Sequence, residues 1–420
     1  MSIKKALFFV LVAFLLLAFV VSGCETDPEE AEEVDEVEEK EEIVIGASRS
    51  MSGPLAVQQE MAFGPVYQMW VDEVNERGGI YVEEYDKKLP IDLIEYDDTS
   101  DMGTMTRMLE RLMVEDEVDL LLAPISTAFL NTAAPLANEN EYLLMGAEGG
   151  AKELEPLMED LPYFFSVLSY SVHQMPALID MLEEEEDIED AAIFHIADQH
   201  GIDYASAANE GLEEIGVDVL VETSFSPGTD DVSHLIEDAE ANDVDAVFFF
   251  GYPDENFLFI EQAMGMDYNP DLMLFGPGMC FEAFRNMFGD EVVEGVMGWG
   301  TWNEKISEEA ADFAERLTEH QDGERNLDWW GDLPYYASLQ ILEQAIEEAG
   351  TLDNSELKDV IAEERFDTVM GEVWFEDGRI PAEAYPAHVG QWQDGVFELV
   401  APTDSQTAEP VIPKPEWPEQ

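Results

Sequence analysis

Met105-Thr106-Arg107-Met108-Leu109-Glu110-Arg111-Leu112-Met113, with Leu120-Leu121-Leu122-Ala123 close behind, is the stretch on which the fold turns. Met105, Met108, Leu109, Leu112 and Met113 recur at the spacing of one helix face, while Arg107, Glu110 and Arg111 take the other. The short apolar run that follows, closed by Pro124, reads as a buried strand. A helix therefore feeds a strand that is apolar on both faces, and such strands belong to parallel sheets covered by helices on each side. The methionine stripe is read as core.

The same alternation extends in both directions. Further strands are predicted over Leu89–Tyr96, Tyr142–Met145, Ala191–Ile196, Val217–Thr223, Ala246–Phe250 and Leu272–Phe275. Helices are predicted over Phe63–Glu76, Thr127–Asn138, Tyr204–Ile215, Val232–Ala241, Asn256–Met264 and Pro334–Ala349. The count suffices for two parallel sheets, so the expected class is α/β. No fixed-period short repeat occurs.

The ends differ from this middle. Lys4-Lys5, an apolar run from Ala6 to Val21 and then Val21-Ser22-Gly23-Cys24 have the order of an export signal, and the run falls short of the ~20 residues of a spanning helix. The last four residues resemble a lipobox, in which Cys24 receives a lipid and becomes the N-terminus; an uncleaved anchor is the competing reading. Residues 25–42 are nearly all acidic and are expected to form an extended tether. The folded part is expected to start at Ile43, and the proline-rich tail, 401–420, reads as irregular.

Composition narrows the function classes. The chain has 420 residues, 46% of them hydrophobic, enough for roughly two or three domain-sized units. Cys280 is the one cysteine besides Cys24, so an exported form must rely on its core rather than on disulfides. Asp and Glu number 96 against 18 Lys and Arg, a formal net charge of −78. Nucleic acid is excluded as a partner on that balance, and a halophilic setting is expected, because a Debye length of ~3 Å at 1 M salt screens the repulsion. No metal-ligand spacing, nucleophile elbow or phosphate loop is present, and His173, His195, His200, His234, His320 and His388 share no ligand-bearing helix face. No catalytic residue, cofactor or metal is assigned. A hydrolase would need His200 assembled with Cys280 or Glu148 in space.

Ile43-Val44-Ile45-Gly46, Met51-Ser52-Gly53-Pro54, Val74-Asn75-Glu76-Arg77-Gly78-Gly79-Ile80 and Tyr96-Asp97-Asp98 resemble the leucine/isoleucine/valine-type substrate-binding proteins of ABC importers. The resemblance resumes at Phe250-Gly251-Tyr252, Phe275-Gly276-Pro277 and Phe366-Asp367-Thr368-Val369-Met370-Gly371, and spans roughly Ile43 to Val400. It implies two doubly wound parallel-sheet lobes of the type I periplasmic binding protein kind, joined by three crossovers. Lobe 1 would be 43–165 with 302–366, lobe 2 would be 166–301 with 367–400, and the crossings would fall near 165–169, 298–301 and 369–374. It also implies a small-molecule ligand, permease and ATPase partners, and a place on the outer face of the cytoplasmic membrane, reached through the lipid on Cys24.

By the same resemblance the ligand carboxylate falls at Ser126, with Thr127 beside it before a helix, where an ordinary helix cap is the alternative. A cleft tyrosine falls at Tyr252, with core packing as the alternative. The acid that pairs with an amine in the family falls at Gly278, so the main counter-charge is missing. Gln58 stands for a first-loop aromatic and His200 for a second-lobe tyrosine, as a hydrogen-bonding wall or a structural histidine. Glu148, in Gly146-Ala147-Glu148-Gly149-Gly150, falls where the family offers a carbonyl to the amine; it either replaces the lost acid or is solvated surface, and Gly150 is counted with it. Trp329-Trp330 border the cleft or pack in the core. An amino acid is the expected ligand, with a small amide, urea or a simple carboxylate as the alternative, feeding an importer or a membrane sensor.

Overall fold

The computed structural model describes residues 40–146, 149–150, 152–168, 171–183, 185 and 188–418. The export signal with Cys24, the tether as far as residue 39, Glu148 and the last two residues of the tail lie outside the described residues.

Asp119 fixes where the fold begins. Its carboxylate accepts from the Val44 amide at 2.7 Å and pairs with Lys40 Nζ at 2.6 Å, tying the start of the Ile43–Arg49 strand to the strand Leu120–Leu122. The helix Met102–Val114 between them is capped by Asp101, which accepts from the Thr104 amide, and buries Met105, Leu109, Leu112 and Met113. It lies so close that a Cβ on Gly46 would stand 2.8 Å from Leu112 Cδ2.

The first sheet has the order Ile91–Asp97, Ile43–Arg49, Leu120–Leu122, Leu144–Gly146, Phe164–Ser166, all parallel. The second begins the same way, with Asp218–Phe225, Asp190–Ile196, Ala246–Phe250, Leu272–Phe275 and Met297–Gly300 parallel. In each, the first strand in sequence lies between the second and the third. A doubly wound sheet of this order seats ligands outside the carboxyl ends of its strands, where the winding reverses.

Three differences from the sequence reading have plain causes. Pro90 splits the expected 89–96 strand, so Lys87–Leu89 pairs with Ile80–Val82 in a separate hairpin while Ile91–Asp97 joins the main sheet. The second sheet ends in an antiparallel pair, His388–Gln393 and Val396–Ala401, which the reading did not place. The first helix starts earlier than Phe63, running Ala56–Gln58, through a π-type turn at Gln59–Phe63, into Gly64–Glu76.

After Gly300 the chain returns to the first sheet's side. Phe63 and Tyr335 rings meet at 4.2 Å, Arg77 pairs with Glu343 at 2.5 Å, and Asn354 donates to the Asp119 carbonyl at 2.9 Å. The Arg365–Thr368 and Gly371–Trp374 hairpin is bonded to the helix Asp332–Ala349, since Val369 N donates to Gln340 Oε1 at 2.8 Å. The chain then passes beside Ser166, whose amide donates to the Gly378 carbonyl at 2.8 Å, and joins the second sheet at His388. The tail holds one 3-10 turn, Thr403–Ser405, but is docked: Lys414 N donates to the Asp271 carbonyl at 2.7 Å, and Trp417 Nε1 to the Tyr268 carbonyl at 2.8 Å.

Candidate functional site

The carboxyl ends of both sheets supply one buried cleft. From the first come Ser126 and Thr127, just past Leu120–Leu122, and Gly149 and Gly150, past Leu144–Gly146. From the second come His200, Tyr252 and Pro277, each just past a strand. Ala62 and Phe63 enter from the π-type turn, an irregularity often found at functional sites, and Gln58 from the residue just before it. Leu168, Phe281, Asp328, Trp330 and Tyr335 close the cleft down to a cavity of about 30 Å³.

Six of the sequence-derived residues, Gln58, Ser126, Thr127, Gly150, His200 and Tyr252, therefore share one wall system. Gly278 does not line the cleft; its neighbour Pro277 does. Its φ is +102°, and a Cβ there would lie 2.8 Å from Pro253 Cα and Cβ. That backbone and that proline together exclude a side chain, which accounts physically for the lost acid. Trp330 lines the cleft, whereas the Trp329 ring packs on Trp302 at 4.7 Å.

Of the helix N-termini at this cleft, two differ instructively in charge. Asp198 caps Gln199–Ile215, accepting from the Gly201 amide at 3.0 Å, so that terminus brings its own anion. Ser126 caps Thr127–Glu139 with a neutral hydroxyl, which accepts from Phe129 N at a long 3.4 Å. With no acid in its first turn, the dipole and first-turn amides of this second terminus form the positive pole. Ser126 has φ +90° and ψ 150°, a region in which residues other than glycine are strained and which clusters at ligand sites.

Burial sets the protonation of the other walls. It holds the His200 imidazole below its usual pKa, against the pull of Asp198 and Asp203, so the ring is neutral. His200 Nε2 and the Trp330 indole Nε1 are both buried without a hydrogen-bond partner among the described residues. Burial, helped by Asp198, pushes the Tyr252 phenol well up, so it stays protonated. The Cys280 thiol is also pushed up by burial and donates to Asp328 Oδ1 at 3.2 Å, the opposite of an activated nucleophile. No group of metal ligands occurs among the described residues.

Asp328, Phe63, Phe281 and Tyr335 escaped the sequence reading. Among 96 acidic residues nothing marks Asp328; the signal was the adjoining Trp329-Trp330.

A family model described as periplasmic binding protein matches residues 42–408. The chain belongs to that family. Similar relatives include the Leu/Ile/Val-binding protein of Escherichia coli K12, 23% identical over 341 residues, covering 80% of this chain and 88% of the relative. The Leu/Ile/Val/Thr-binding protein of Salmonella typhimurium is 24% identical over the same shares. Among solved structures, the branched-chain amino acid transporter substrate binding protein of Streptococcus pneumoniae in complex with isoleucine has a TM-score of 0.73 at 19% identity, covering 86% of this chain and 100% of that one. A solute binding protein of Rhodopseudomonas palustris in complex with 3,4-dihydroxybenzoic acid has a TM-score of 0.74 at 15% identity, covering 90% and 99%. These relatives are solute-binding proteins, not enzymes, and the family is extracytoplasmic. No helix among the described residues is long and apolar enough to cross a membrane.

Proposed function

We propose that this protein captures a small amino acid outside the cytoplasm and hands it to an ABC permease driven by its ATPase. The observation that carries the reading is the convergence of strand ends from both sheets on one closed cleft whose positive pole is the neutral-capped helix at Ser126 and Thr127. An α-carboxylate suits that pole, with the Ser126 hydroxyl and first-turn amides as donors and the Tyr252 phenol, bonded to Ser126, beside them. The relatives named for leucine, isoleucine and valine make branched-chain amino acids the first candidates. The lobes take the extents given above from the sequence, and closing them around the solute excludes water from these hydrogen bonds. Lipid on Cys24 holds the receptor at the outer face of the membrane, the tether spaces it off, and concentrated salt screens its charge.

A second reading, favoured by the closed position at Gly278, is a carboxylate or amide without an amine, feeding an importer or a membrane sensor. Titration calorimetry in concentrated salt with amino acids, amides, urea and simple carboxylates decides between them. Saturable binding of an amino acid with no response to its deaminated counterpart supports the first reading.

A further inference from the structure

The same cleft carries a buried carboxylate with no cationic partner among the described residues. Asp328 is 1% exposed and lines the cleft. Its Oδ1 accepts from the Cys280 thiol at 3.2 Å and the Trp330 amide at 2.9 Å; its Oδ2 receives the Tyr335 hydroxyl at a marginal 3.5 Å. All of these donors are neutral, and no Lys or Arg pairs with Asp328 among the described residues. Its other neighbour is a second acid, Asp332, whose Oδ2 accepts from the Asp328 amide at 2.8 Å and whose Oδ1 has no partner among the described residues. A buried carboxylate so placed is costly unless a cation reaches it.

The segment is held there deliberately. Trp329 N donates to the Cys280 carbonyl at 3.3 Å, Thr301 N to the Trp329 carbonyl at 3.0 Å, and Trp302 Nε1 to the Asp328 carbonyl at 2.9 Å, stitching Asp328–Trp330 to two strand-end loops of the second sheet. The buried Nε1 of Trp330 and Nε2 of His200, without partners among the described residues, belong to residues that line the same cavity, where a polar solute would complete them. Phe63, Phe281, Trp330 and Tyr335 supply aromatic lining to the same cavity, as suits a cation shielded from water.

We propose that Asp328 receives the cationic nitrogen of the solute, in the role that Gly278 cannot fill, with Asp332 as its positioning partner; the solute is then a zwitterion spanning Ser126 to Asp328. This rests on the reading that the cleft binds a small solute through Ser126 and Thr127.

The test compares L-leucine with 4-methylpentanoate, the same skeleton without the amine, by titration calorimetry in concentrated salt on wild type, Asp328→Asn and Glu148→Gln. Asp328→Asn is expected to weaken leucine by about thirtyfold or more and 4-methylpentanoate by less than about threefold. Equal loss for both probes, no loss for leucine, or a leucine-selective loss confined to Glu148→Gln overturns the assignment while leaving the solute-binding reading intact. Failure of wild type to bind leucine or any other amino acid overturns both. Wild type alone gives a further readout should Asp328→Asn not fold. Burial raises both Asp328 and Asp332, so the pair retains a proton toward neutrality. The titratable and charged groups about them are Cys280 and Tyr335 in contact, His200 and Tyr252 lining the same cleft, Asp198 bonded to Tyr252, and Arg325 over the Trp329 ring at 5.1 Å. At mildly acidic pH, calorimetry in buffers of different ionisation enthalpy is expected to show proton release with leucine and none with 4-methylpentanoate; equal proton counts overturn the proposal.

Discussion

Asn131 Nδ2 donates to Gln199 Oε1 at 2.7 Å, joining the helix that follows the first sheet's third strand to the helix that follows the second sheet's first. Both helices begin at the cleft, at Thr127 and at Gln199 beside His200, so this bond ties the two sheets together next to the candidate site. Separating the two sheets would break it, so its removal is expected to bias the protein toward opening. The double variant Asn131→Ala, Gln199→Ala is expected to lose about 1 kcal/mol of closure, a several-fold weaker affinity expressed as faster ligand release. Stopped-flow dissociation checks this; an unchanged release rate would show that the bond plays no part in closure.

Gly278 offers a sharper case. Restoring the acid with Gly278→Glu is expected to fail as a gain of function, because φ is +102° and Pro253 atoms stand 2.8 Å from where a Cβ would be. Strain of this kind costs on the order of 1–3 kcal/mol, and the overlap adds to it. Melting in concentrated salt should fall by several degrees with no tighter amino-acid binding. A variant that melts like wild type and binds leucine more tightly would contradict the account of Gly278.

Much of this arrangement could be read from residues alone, and the remainder has identifiable reasons for staying hidden. The helix Thr127–Glu139 and its Ser126 cap follow from a polar residue before an apolar-periodic run, and buried strands such as Ala246–Phe250 follow from apolar runs. Met297-Gly298-Trp299-Gly300 lacks the β-branched signature, so its strand was missed, as was the antiparallel pair beyond it. The site was legible where it follows strands and illegible where it is built by long-range stitching. Asp328 becomes distinct only through bonds to Cys280 and Trp302, far away in the chain.

Acid sensitivity should come partly from His388. Its Nε2 lies 2.8 Å from Ser405 Oγ, and burial lowers its pKa to about 4 from 6.5. A lowered folded-state value means that the unfolded chain takes up the proton first, so stability falls as pH drops from 6.5 to about 4 and the loss levels off below. The shift corresponds to something on the order of 3 kcal/mol. Denaturant melts of wild type and His388→Gln at pH 7 and pH 4.5 in constant salt check this. The variant should lose less on acidification; equal losses would remove His388 as a cause.

Salt should matter more than any single pair. At a formal net charge of −78, lowering salt from 1 M to 0.1 M lengthens the Debye distance from ~3 Å to ~10 Å and lets neighbouring carboxylates repel. The melting temperature is expected to fall steeply over that range, by ten degrees or more on an order-of-magnitude view. A flat melting temperature would contradict the high-salt setting.

The most direct measurement of the central claim is calorimetric titration of L-leucine in concentrated salt into wild type, Ser126→Ala and Ser126→Gly. Ser126 has φ +90° and caps the helix whose terminus forms the positive pole. Wild type should bind one solute per chain, and both variants should bind about tenfold more weakly or worse, through loss of a hydroxyl hydrogen bond to a charged oxygen. Ser126→Gly, relieved of backbone strain, should nevertheless melt no lower than wild type. Affinity lost without stability would mark Ser126 as a ligand contact, whereas leucine binding unchanged in both variants would place the solute elsewhere and contradict the account.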